Sequence, residues 1–313
     1  MNLENCTTPT EFMLVGLSDI PHLQVVLFMI FLSIYVIAIL GNLTIILVYN
    51  YSSNLRTPMY FFLANFAFFD ICYISNTVPN MLLNFLSGHK TISFYGCVVQ
   101  LYFLMLLGST ECYILAAMAY DRYNAICQPL LYINIMNKES CIKFILGSWF
   151  IGIANSIIHT TLTFTLPFCG SNVINYFFCD IPPLLNLAYS DTRINELTTF
   201  FIGGFVTMGS LLLTIISYVN IISTILKIHS SSGRRKAFST CVSHFVVVTI
   251  FYGSGIFIYL KPRSNYIMEH DRLVAIMYTV IAPLLNPFIY SLRNKDFKIA
   301  VKKIISEKIM AKY

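Results

Sequence analysis

The chain has 313 residues, of which 57% are hydrophobic and only 11% are Asp, Glu, Lys or Arg. Soluble domains carry roughly 25% charged residues, so this composition excludes an ordinary soluble globular protein and leaves an integral membrane protein. The net charge of +6 does not indicate nucleic-acid binding, because the basic residues lie in short patches between apolar segments, where they typically set membrane topology.

The N-terminal segment, residues 1–24, contains acidic residues but no Lys or Arg, so it lacks the basic region of a signal peptide. We therefore expect the first apolar segment to remain in the protein. Asn5-Cys6-Thr7 is a glycosylation sequon, which is used only outside the cytosol. The sequence predicts an extracellular N-terminal segment with Asn5 as a candidate glycosylation site.

Seven stretches of at least 19 residues contain no Asp, Glu, Lys or Arg, and a helix needs ~20 residues to cross the hydrocarbon core. The second and third stretches must be extended past one acid each. The predicted spans are 25–49, 58–86, 97–120, 142–163, 197–226, 238–260 and 272–292. Residues 293–313 form a predicted cytoplasmic tail with a short amphipathic helix along the inner membrane surface. The predicted fold is an all-α seven-helix membrane bundle.

The Lys and Arg distribution predicts the orientation of this bundle. With the N-terminus outside, the inner segments hold 15 of these residues and the outer segments hold 5. Inner loops of membrane proteins are enriched in positive charge, so the sequence predicts an outer N-terminus and an inner C-terminus. The connection between the fourth and fifth spans is the only long one, and it can fold over the outer mouth of the bundle.

Two acids lie within the predicted spans, Asp70 in the second and Glu111 in the third. A carboxylate in hydrocarbon costs several kcal/mol, which makes each acid a functional candidate. Their distances from the inner surface are ~21 and ~17 Å at 1.5 Å per residue, so they can face each other. Two facing carboxylates share a proton or hold a cation, while two separately hydrogen-bonded acids are the alternative.

Cys97 opens the third span and Cys179 lies in the long outer loop, where the compartment is oxidising. A disulfide between them would hold the loop over the bundle. The sequence has no Walker A, GxSxG, HExxH or GxGxxG motif, so we do not expect an enzyme. His159 and His244 are expected to be hydrogen-bonded bundle residues, with metal ligation as the alternative.

Polar residues at the inner ends of two spans are candidates for a conformational switch. Asp121 and Arg122 end the third span, where Arg122 is either an interfacial anchor or a side chain that changes partners when helices move. In the seventh span, Pro287 removes a backbone hydrogen bond and kinks the helix beside Asn286 and Tyr290, as at a hinge. Proline is common in membrane helices, so this motif alone is weak.

Local strings spread over nearly the whole chain resemble those of the olfactory receptors, a family of rhodopsin-like G-protein-coupled receptors. These strings are Gly41-Asn42, Pro58-Met-Tyr-Phe-Phe-Leu-Ala-Asn65, Met118-Ala-Tyr-Asp-Arg-Tyr123, Ala125-Ile-Cys-Gln-Pro-Leu130, Ser217-Tyr218, Lys236-Ala-Phe-Ser-Thr-Cys-Val-Ser-His244 and Pro283-Leu-Leu-Asn-Pro-Phe-Ile-Tyr-Ser-Leu-Arg-Asn-Lys295.

The resemblance implies an odorant-binding pocket among the outer halves of the third, fifth, sixth and seventh spans. The implied lining residues are Leu104, Met105, Gly108, Ser109, Cys112, Ile202, Gly203, Val206, Gly255, Ile256, Tyr259, Ile276 and Thr279. This lining is mostly apolar and uncharged, so a small and weakly polar volatile fits better than an amine or a carboxylate.

The resemblance also implies a stimulatory G protein at the inner face, a rise in cyclic AMP, and a plasma-membrane location in olfactory cilia. The implied switch residues are Asp121, Arg122, Tyr123, Tyr218, Tyr252, Asn286, Pro287 and Tyr290. Asp70 and Glu111 resemble a sodium site, with Asn42 and Asn286 as neighbours, and no other cofactor is implied. The disulfide between Cys97 and Cys179 is also implied by the resemblance.

Two positions depart from the family pattern. Tyr189 stands where the family usually has a loop cysteine, so we expect Cys169 to have lost its partner. Asn124 stands where a small apolar residue is usual, which is expected to affect coupling or basal activity.

Two rival functions remain. A transporter or channel could use the two buried acids as an ion path, but transporters usually have internal repeats, and the two halves of this chain show no duplication. A receptor for a non-olfactory ligand in another tissue is equally compatible with the sequence.

Overall fold

Long α-helices follow the apolar segments in the computed structural model, which describes residues 9–18, 20–87, 90–228, 230–259, 268–291 and 295–310. The helices are α1 (Pro21–Tyr51), α2 (Pro58–Leu86), α3 (Phe94–Cys127), α4 (Tyr132–Ile135), α5 (Lys138–Phe164), α6 (Ile181–Leu187), α7 (Arg193–Thr198), α8 (Gly204–Leu226), α9 (Ser231–Tyr259), α10 (Met268–Ile276), α11 (Ala282–Ser291) and α12 (Lys295–Met310).

Two of the membrane helices contain a π-helical turn, in which one extra residue is accommodated in the helix. The turn Thr199–Gly203 joins α7 to α8, and these three elements are called the fifth span below. The turn Met277–Ile281 joins α10 to α11, and these are called the seventh span. Each π turn lies within a span that contributes residues to the cavity described below.

The chain is a seven-helix membrane bundle, as the sequence predicted. In the described residues, six helices are long and apolar enough to cross a membrane, and the seventh apolar segment is the shorter His244–Tyr259 within α9. In the most apolar window of α3, 78% of the residues are buried, compared with 11% in α1. Helix α3 therefore lies at the centre of the bundle, where it contacts α2, α5, α8 and α9.

Helix starts in this bundle follow from local sequence. Pro21 and Pro58 occupy the first turns of α1 and α2, where the missing N–H of proline costs nothing. Ser93 caps α3 by accepting a hydrogen bond from the Gly96 backbone N–H, and Asn137 caps α5 in the same way. These caps fix where the two helices that line the candidate site begin.

A small sheet and a disulfide cover the outer end of the bundle. The strands β1 (Glu11–Leu14), β2 (Thr91–Ser93) and β3 (Val173–Ile174) form a sheet in the order β2-β1-β3. Strand β1 pairs antiparallel with β2 and parallel with β3. Cys97 and Cys179 form a disulfide, which confirms the predicted link between α3 and the long outer loop.

The prediction that Cys169 has lost its partner is wrong, because Cys169 is disulfide-bonded. The free cysteines among the described residues are Cys72, Cys112, Cys127, Cys141 and Cys241. The prediction considered only position 189 as the site of a partner cysteine for Cys169. Disulfide pairing depends instead on which cysteines the fold brings close enough to form the bond.

The amphipathic helix α12 packs against the inner end of the bundle. Its Phe297 ring stacks on the Tyr60 ring of α2, with centroids 6.5 Å apart. Phe297 and Ala300 are buried, while Lys302 and Lys303 are exposed. This arrangement matches the predicted helix with one apolar face and one basic face.

Candidate functional site

A cavity lies in the outer half of the bundle between α3, α5, the fifth span, α9 and the seventh span. Its volume is about 80 Å³. The lining residues are Tyr73, Met105, Gly108, Ser109, Cys112, Asn155, His159, Ile181, Thr199, Gly203, Val206, Thr207, Phe251, Tyr252, Gly255, Tyr259 and Tyr278. At this size the cavity accepts only a small molecule unless its walls move.

Among the residues that the structure describes, no Asp, Glu, Lys or Arg lines the cavity. Their polar groups are arranged in a short network, in which the Asn155 amide donates to the Ser109 hydroxyl at 2.8 Å. His159 Nδ1 lies 2.9 Å from the Asn155 backbone carbonyl, as expected for a hydrogen-bonded bundle residue. Such a wall binds mainly through apolar contact, and the few polar groups orient the ligand.

Eight of the thirteen predicted pocket residues line this cavity. They are Met105, Gly108, Ser109, Cys112, Gly203, Val206, Gly255 and Tyr259. Leu104, Ile202, Ile256, Ile276 and Thr279 do not line it. Leu104 is buried in the core, Ile202 is 38% exposed on the outer surface of the bundle, and the Thr279 hydroxyl donates to the Ala275 carbonyl.

Three of these five residues lie in or beside the π-helical turns. In the fifth span, Thr199 and Gly203 line the cavity and Ile202 does not. In the seventh span, Tyr278 faces the cavity in place of Ile276 and Thr279. The residues that the resemblance implied in these two spans therefore lie close to the lining but are not all part of it.

Asp180 connects the outer loop to two membrane helices just above the cavity. Its carboxylate accepts hydrogen bonds from the Tyr259 hydroxyl at 3.0 and 3.2 Å, from the Tyr278 hydroxyl at 3.1 Å and from the Ile181 backbone N–H at 2.8 Å. The side chain is fully buried, and this burial raises the pKa of Asp180 to about 6, although the three donors act to lower the pKa.

Sequence reasoning did not identify Asp180, although an acid directly after a disulfide cysteine is a visible signal. The disulfide of Cys179 fixes the loop on α3, and the next residue contacts α9 and the seventh span. We call Asp180, Tyr259 and Tyr278 the loop latch. The latch therefore connects the outer loop and the cavity to α9 and the seventh span.

The buried acid Asp70 lies against the seventh span. The Asn286 amide donates to both Asp70 carboxylate oxygens, at 3.0 and 2.9 Å. Asn42 donates to the carbonyls of Ala38 and Pro283, each at 3.0 Å. Within the described residues, the Asn42 side-chain oxygen and Glu111 Oε1 are buried and have no hydrogen-bond partner. Oxygen atoms of this kind are suitable ligands for a hard cation.

At the inner end of α3, Asp121 and Arg122 form an ion pair of 2.8 Å. The Tyr132 hydroxyl in α4 also donates to Asp121 at 2.8 Å, and the Arg122 side chain is only 15% exposed. Arg122 is therefore partly buried and paired with its neighbour on the same helix. Tyr123 lies beside it and accepts a hydrogen bond from Gln128 at 3.0 Å.

A second inner contact joins α8 to α9. The Tyr218 hydroxyl lies 2.7 Å from His244 Nδ1, which explains why a histidine is tolerated among apolar residues. Nearer the cavity, the Tyr252 hydroxyl donates to the Cys112 carbonyl at 2.8 Å and thereby joins α9 to α3. Both contacts must break or slide if α9 moves away from the bundle.

The predicted hinge in the seventh span packs tightly on α1. A Cβ atom at Gly41 would lie 2.9 Å from Pro287 Cβ, so the two helices approach this closely only because residue 41 is glycine. The side chain of Tyr290 lies outside the described part of the chain, and so does Asn5 with the predicted glycosylation site.

The comparisons with known proteins agree with the geometry. A family model described as olfactory receptor matches residues 31–308. The chain is 48% identical over 308 residues to olfactory receptor 5AR1 of Mus musculus, covering 98% of this chain and 99% of that protein. It is 50% identical over 304 residues to olfactory receptor 8U9 of Homo sapiens, covering 97% of this chain and 98% of that protein.

Proposed function

The chain belongs to the olfactory receptor family, and on this basis we propose that it binds small, weakly polar volatiles in the cavity described above and activates a stimulatory G protein. It is a multi-pass membrane protein and not an enzyme. The single observation that carries the ligand proposal is the uncharged, mostly apolar lining of this cavity at the outer half of the bundle.

The polarity of the ligand follows from the cavity walls. A charged amine or carboxylate would lose its hydration on entering the cavity and would find no oppositely charged side chain in the described lining. This desolvation costs several kcal/mol. An ester, ketone, alcohol or thiol of low polarity loses little hydration free energy when it leaves water. Its binding is favoured by ~25 cal/mol for each Å² of apolar surface that it buries. One hydrogen bond to Ser109 or His159 is enough to orient such a molecule.

The route from ligand to G protein runs through α9. On its cavity side, α9 carries Gly255 and Tyr259, and at its inner half it carries His244, which contacts Tyr218. A ligand that pushes or pulls α9 therefore acts on both the loop latch and the Tyr218–His244 contact. We expect movement of the inner half of α9 to open the inner face of the bundle, where Arg122 lies, to a G protein that raises cyclic AMP.

We also propose a sodium ion near Asp70 and Glu111 in the inactive state. The two carboxylates are buried, and the Asn42 side-chain oxygen and Glu111 Oε1, which have no hydrogen-bond partner among the described residues, are candidate further ligands. In the test, NaCl replaces KCl at equal ionic strength and the thermal stability of the purified receptor is measured. Sodium should stabilise the wild type but not Asp70→Asn, and equal stabilisation of both would overturn this site.

The location that we propose is the plasma membrane of olfactory sensory cilia. The family membership and the membrane-spanning helices support a multi-pass membrane protein. The location in cilia is tested by staining olfactory tissue with an antibody to the C-terminal tail. Labelling restricted to another tissue would favour a receptor with a non-olfactory ligand.

The function itself is tested by measuring cyclic AMP in cells that express the receptor with an olfactory-type G protein, against a panel of volatiles. Gly255 offers a sharp variant, because a Cβ atom there meets no heavy atom within 4 Å although the residue lines the cavity. Gly255→Leu should fill the cavity and abolish the response without disturbing the fold.

The matched control is Gly253→Leu, two residues earlier on α9. Gly253 is exposed on the outside of the bundle, and a Cβ atom there also has nothing within 4 Å. We expect its dose-response curve to match the wild type at equal surface expression. Equal loss of response in both variants would contradict the assignment of the ligand to this cavity.

A further inference from the structure

A polar corner lies inside the mostly apolar ligand cavity, where α5 faces α3. Asn155 and His159 both line the cavity, and because they are four residues apart on α5 they lie on the same face of that helix. Ser109 of α3 also lines the cavity, and its hydroxyl accepts a hydrogen bond of 2.8 Å from the Asn155 amide. We call Asn155, His159 and Ser109 the polar corner.

The Asn155 side chain presents an acceptor without a partner. Its amide nitrogen donates to Ser109, whereas its oxygen, Oδ1, is buried and accepts no hydrogen bond from any described residue. Only 5% of Asn155 is exposed, so the protein shields this oxygen from bulk water. Buried polar atoms of side chains are nearly always hydrogen-bonded in folded proteins. Asn155 Oδ1 is therefore an acceptor that the protein leaves for another molecule.

His159 adds a second acceptor to the polar corner. Its Nδ1 lies 2.9 Å from the Asn155 backbone carbonyl oxygen, which can only accept, so Nδ1 carries the ring proton. The described lining offers no carboxylate to stabilise a charged ring, so Nε2 is the acceptor nitrogen of a neutral imidazole. A Cβ atom at Gly203, which also lines the cavity, would lie 3.6 Å from Nε2. Nε2 therefore lies at the cavity wall.

The hydroxyl groups of the described lining do not set a hydrogen-bonding preference of their own. Three of them already donate to acceptors within the protein, and they belong to Tyr252, Tyr259 and Tyr278. The other hydroxyls can either donate or accept, so they adapt to either kind of ligand. Asn155 Oδ1 and His159 Nε2 can only accept. These two atoms therefore determine which hydrogen-bonding group the cavity favours.

Close packing of α5 on α3 fixes the position of the polar corner. Gly152 lies nearly one helical turn before Asn155, and a Cβ atom there would lie 2.7 Å from the Leu106 carbonyl oxygen. Directly after Asn155, the Ser156 hydroxyl donates to the Tyr102 backbone carbonyl of α3. The acceptors are thus held in place before a ligand arrives, and little ordering of side chains is needed on binding.

We propose that the preferred ligands of this receptor are small alcohols, whose hydroxyl donates a hydrogen bond to Asn155 Oδ1, with His159 Nε2 as the second acceptor. The inference rests on the proposed function, because it concerns which weakly polar volatiles the cavity selects. A ligand that displaces water from a buried acceptor without replacing its hydrogen bond binds more weakly. The oxygen of a ketone, ester or ether can only accept, so it cannot replace that bond.

The experiment compares alcohols with the ketone and the methyl ether of the same carbon skeleton, for example cyclopentanol, cyclopentanone and cyclopentyl methyl ether. Cyclic AMP is measured in cells that express the receptor with an olfactory-type G protein. Binding is measured separately, as the rise in melting temperature of the purified receptor. We expect active alcohols to be about ten-fold more potent than their ketones and ethers, which corresponds to about 1.4 kcal/mol.

The outcomes separate this inference from the proposed function. Responses to ketones and ethers at potencies equal to or greater than those of the alcohols would overturn the inference and leave the proposed function intact. No response to any compound in either assay would contradict the proposed function, and the inference with it. The comparison uses the wild type and so does not depend on a variant that folds.

Asn155→Leu removes the acceptor and keeps a side chain of similar size. The ratio of alcohol potency to ketone potency should fall about ten-fold, to about one. The matched control is Ser156→Ala, because Ser156 also joins α5 to α3 by a hydrogen bond but does not line the cavity. Its ratio should equal that of the wild type.

The ratio of potencies distinguishes recognition from a structural effect. Loss of a hydrogen bond between the helices would weaken the responses to alcohol and ketone together, and the ratio would stay the same. An unchanged ratio in Asn155→Leu, or an equal fall of the ratio in Ser156→Ala, would therefore overturn the assignment of Asn155 Oδ1 as the acceptor for the ligand.

Discussion

Replacing Asp180 with Asn tests whether a buried loop carboxylate makes the stability of the receptor depend on pH. The carboxylate is fully buried and accepts hydrogen bonds from Tyr259 and Tyr278. Burial raises the pKa of Asp180 from 3.8 to about 6. The folded receptor therefore binds this proton more tightly than the unfolded chain, and protonation stabilises the fold.

The size of the effect follows from the two pKa values. Above pH 7 the carboxylate is ionised in both states, so this group adds no pH dependence. As the pH falls through about 6, the folded state takes up the proton first, and the free energy of unfolding rises until the unfolded chain is protonated near pH 3.8. Between pH 7.5 and 5.0 the gain is about 1.4 kcal/mol, or roughly 3 °C in melting temperature.

The assay is thermal unfolding of the purified receptor at pH 7.5 and pH 5.0, for the wild type, Asp180→Asn and a control. The control is Asp191→Asn, because Asp191 lies in the same outer region but is exposed. Other titrating groups contribute equally to all three proteins, so the difference between them isolates Asp180. We expect the wild type and Asp191→Asn to gain about 1.4 kcal/mol more from acidification than Asp180→Asn does.

The two tyrosines provide an internal check. Their hydrogen bonds lower the pKa of Asp180, so Tyr259→Phe or Tyr278→Phe should move the midpoint of the pH effect above 6. An identical response to acidification in Asp180→Asn and the wild type would refute the reasoning, as would a downward shift of the midpoint in the Phe variants.

Three further predictions concern packing, signalling and the disulfide. Gly152→Ala should abolish surface expression, because a Cβ atom there would lie 2.7 Å from the Leu106 carbonyl oxygen. Gly147→Ala should express normally, because a Cβ atom there meets no heavy atom within 4 Å. Flow cytometry of an epitope-tagged receptor compares the surface expression of the two variants. Arg122→Ala should remove the odorant-driven rise in cyclic AMP at matched surface expression, and a normal rise would exclude this residue from coupling. Cys97→Ser should cost about 2–5 kcal/mol of stability, visible as a lower melting temperature, and an unchanged value would mean that the outer loop holds its place without the bond.

The sequence by itself predicted the membrane-spanning segments, and the family resemblance implied the pairing of Cys97 with Cys179. Hydropathy and charge determine which segments enter the membrane, because each segment is transferred from water largely on its own composition. The burial of Asp70 and Glu111 followed from the same local reasoning. The family resemblance then predicted eight of the cavity residues.

Only the tertiary structure placed the remaining features of the site. The latch joins Asp180 to Tyr259 and Tyr278, which are 79 and 98 residues away along the chain. Composition does not encode such contacts, because they depend on how the outer loop folds over two separate helices. The disulfide bond of Cys169 also depends on this folding, and a single position in the sequence could not predict it.

The cavity-lining residues of the fifth and seventh spans show most clearly what the sequence could not predict. The family resemblance implied Ile202 and Ile276 in the lining, whereas Thr199 and Tyr278 line the cavity in the structure. Hydropathy cannot reveal this shift, because the residues on both faces of these spans are largely apolar. The way these spans pack against neighbouring helices is set by the tertiary structure, which alone decides which side chains meet the ligand.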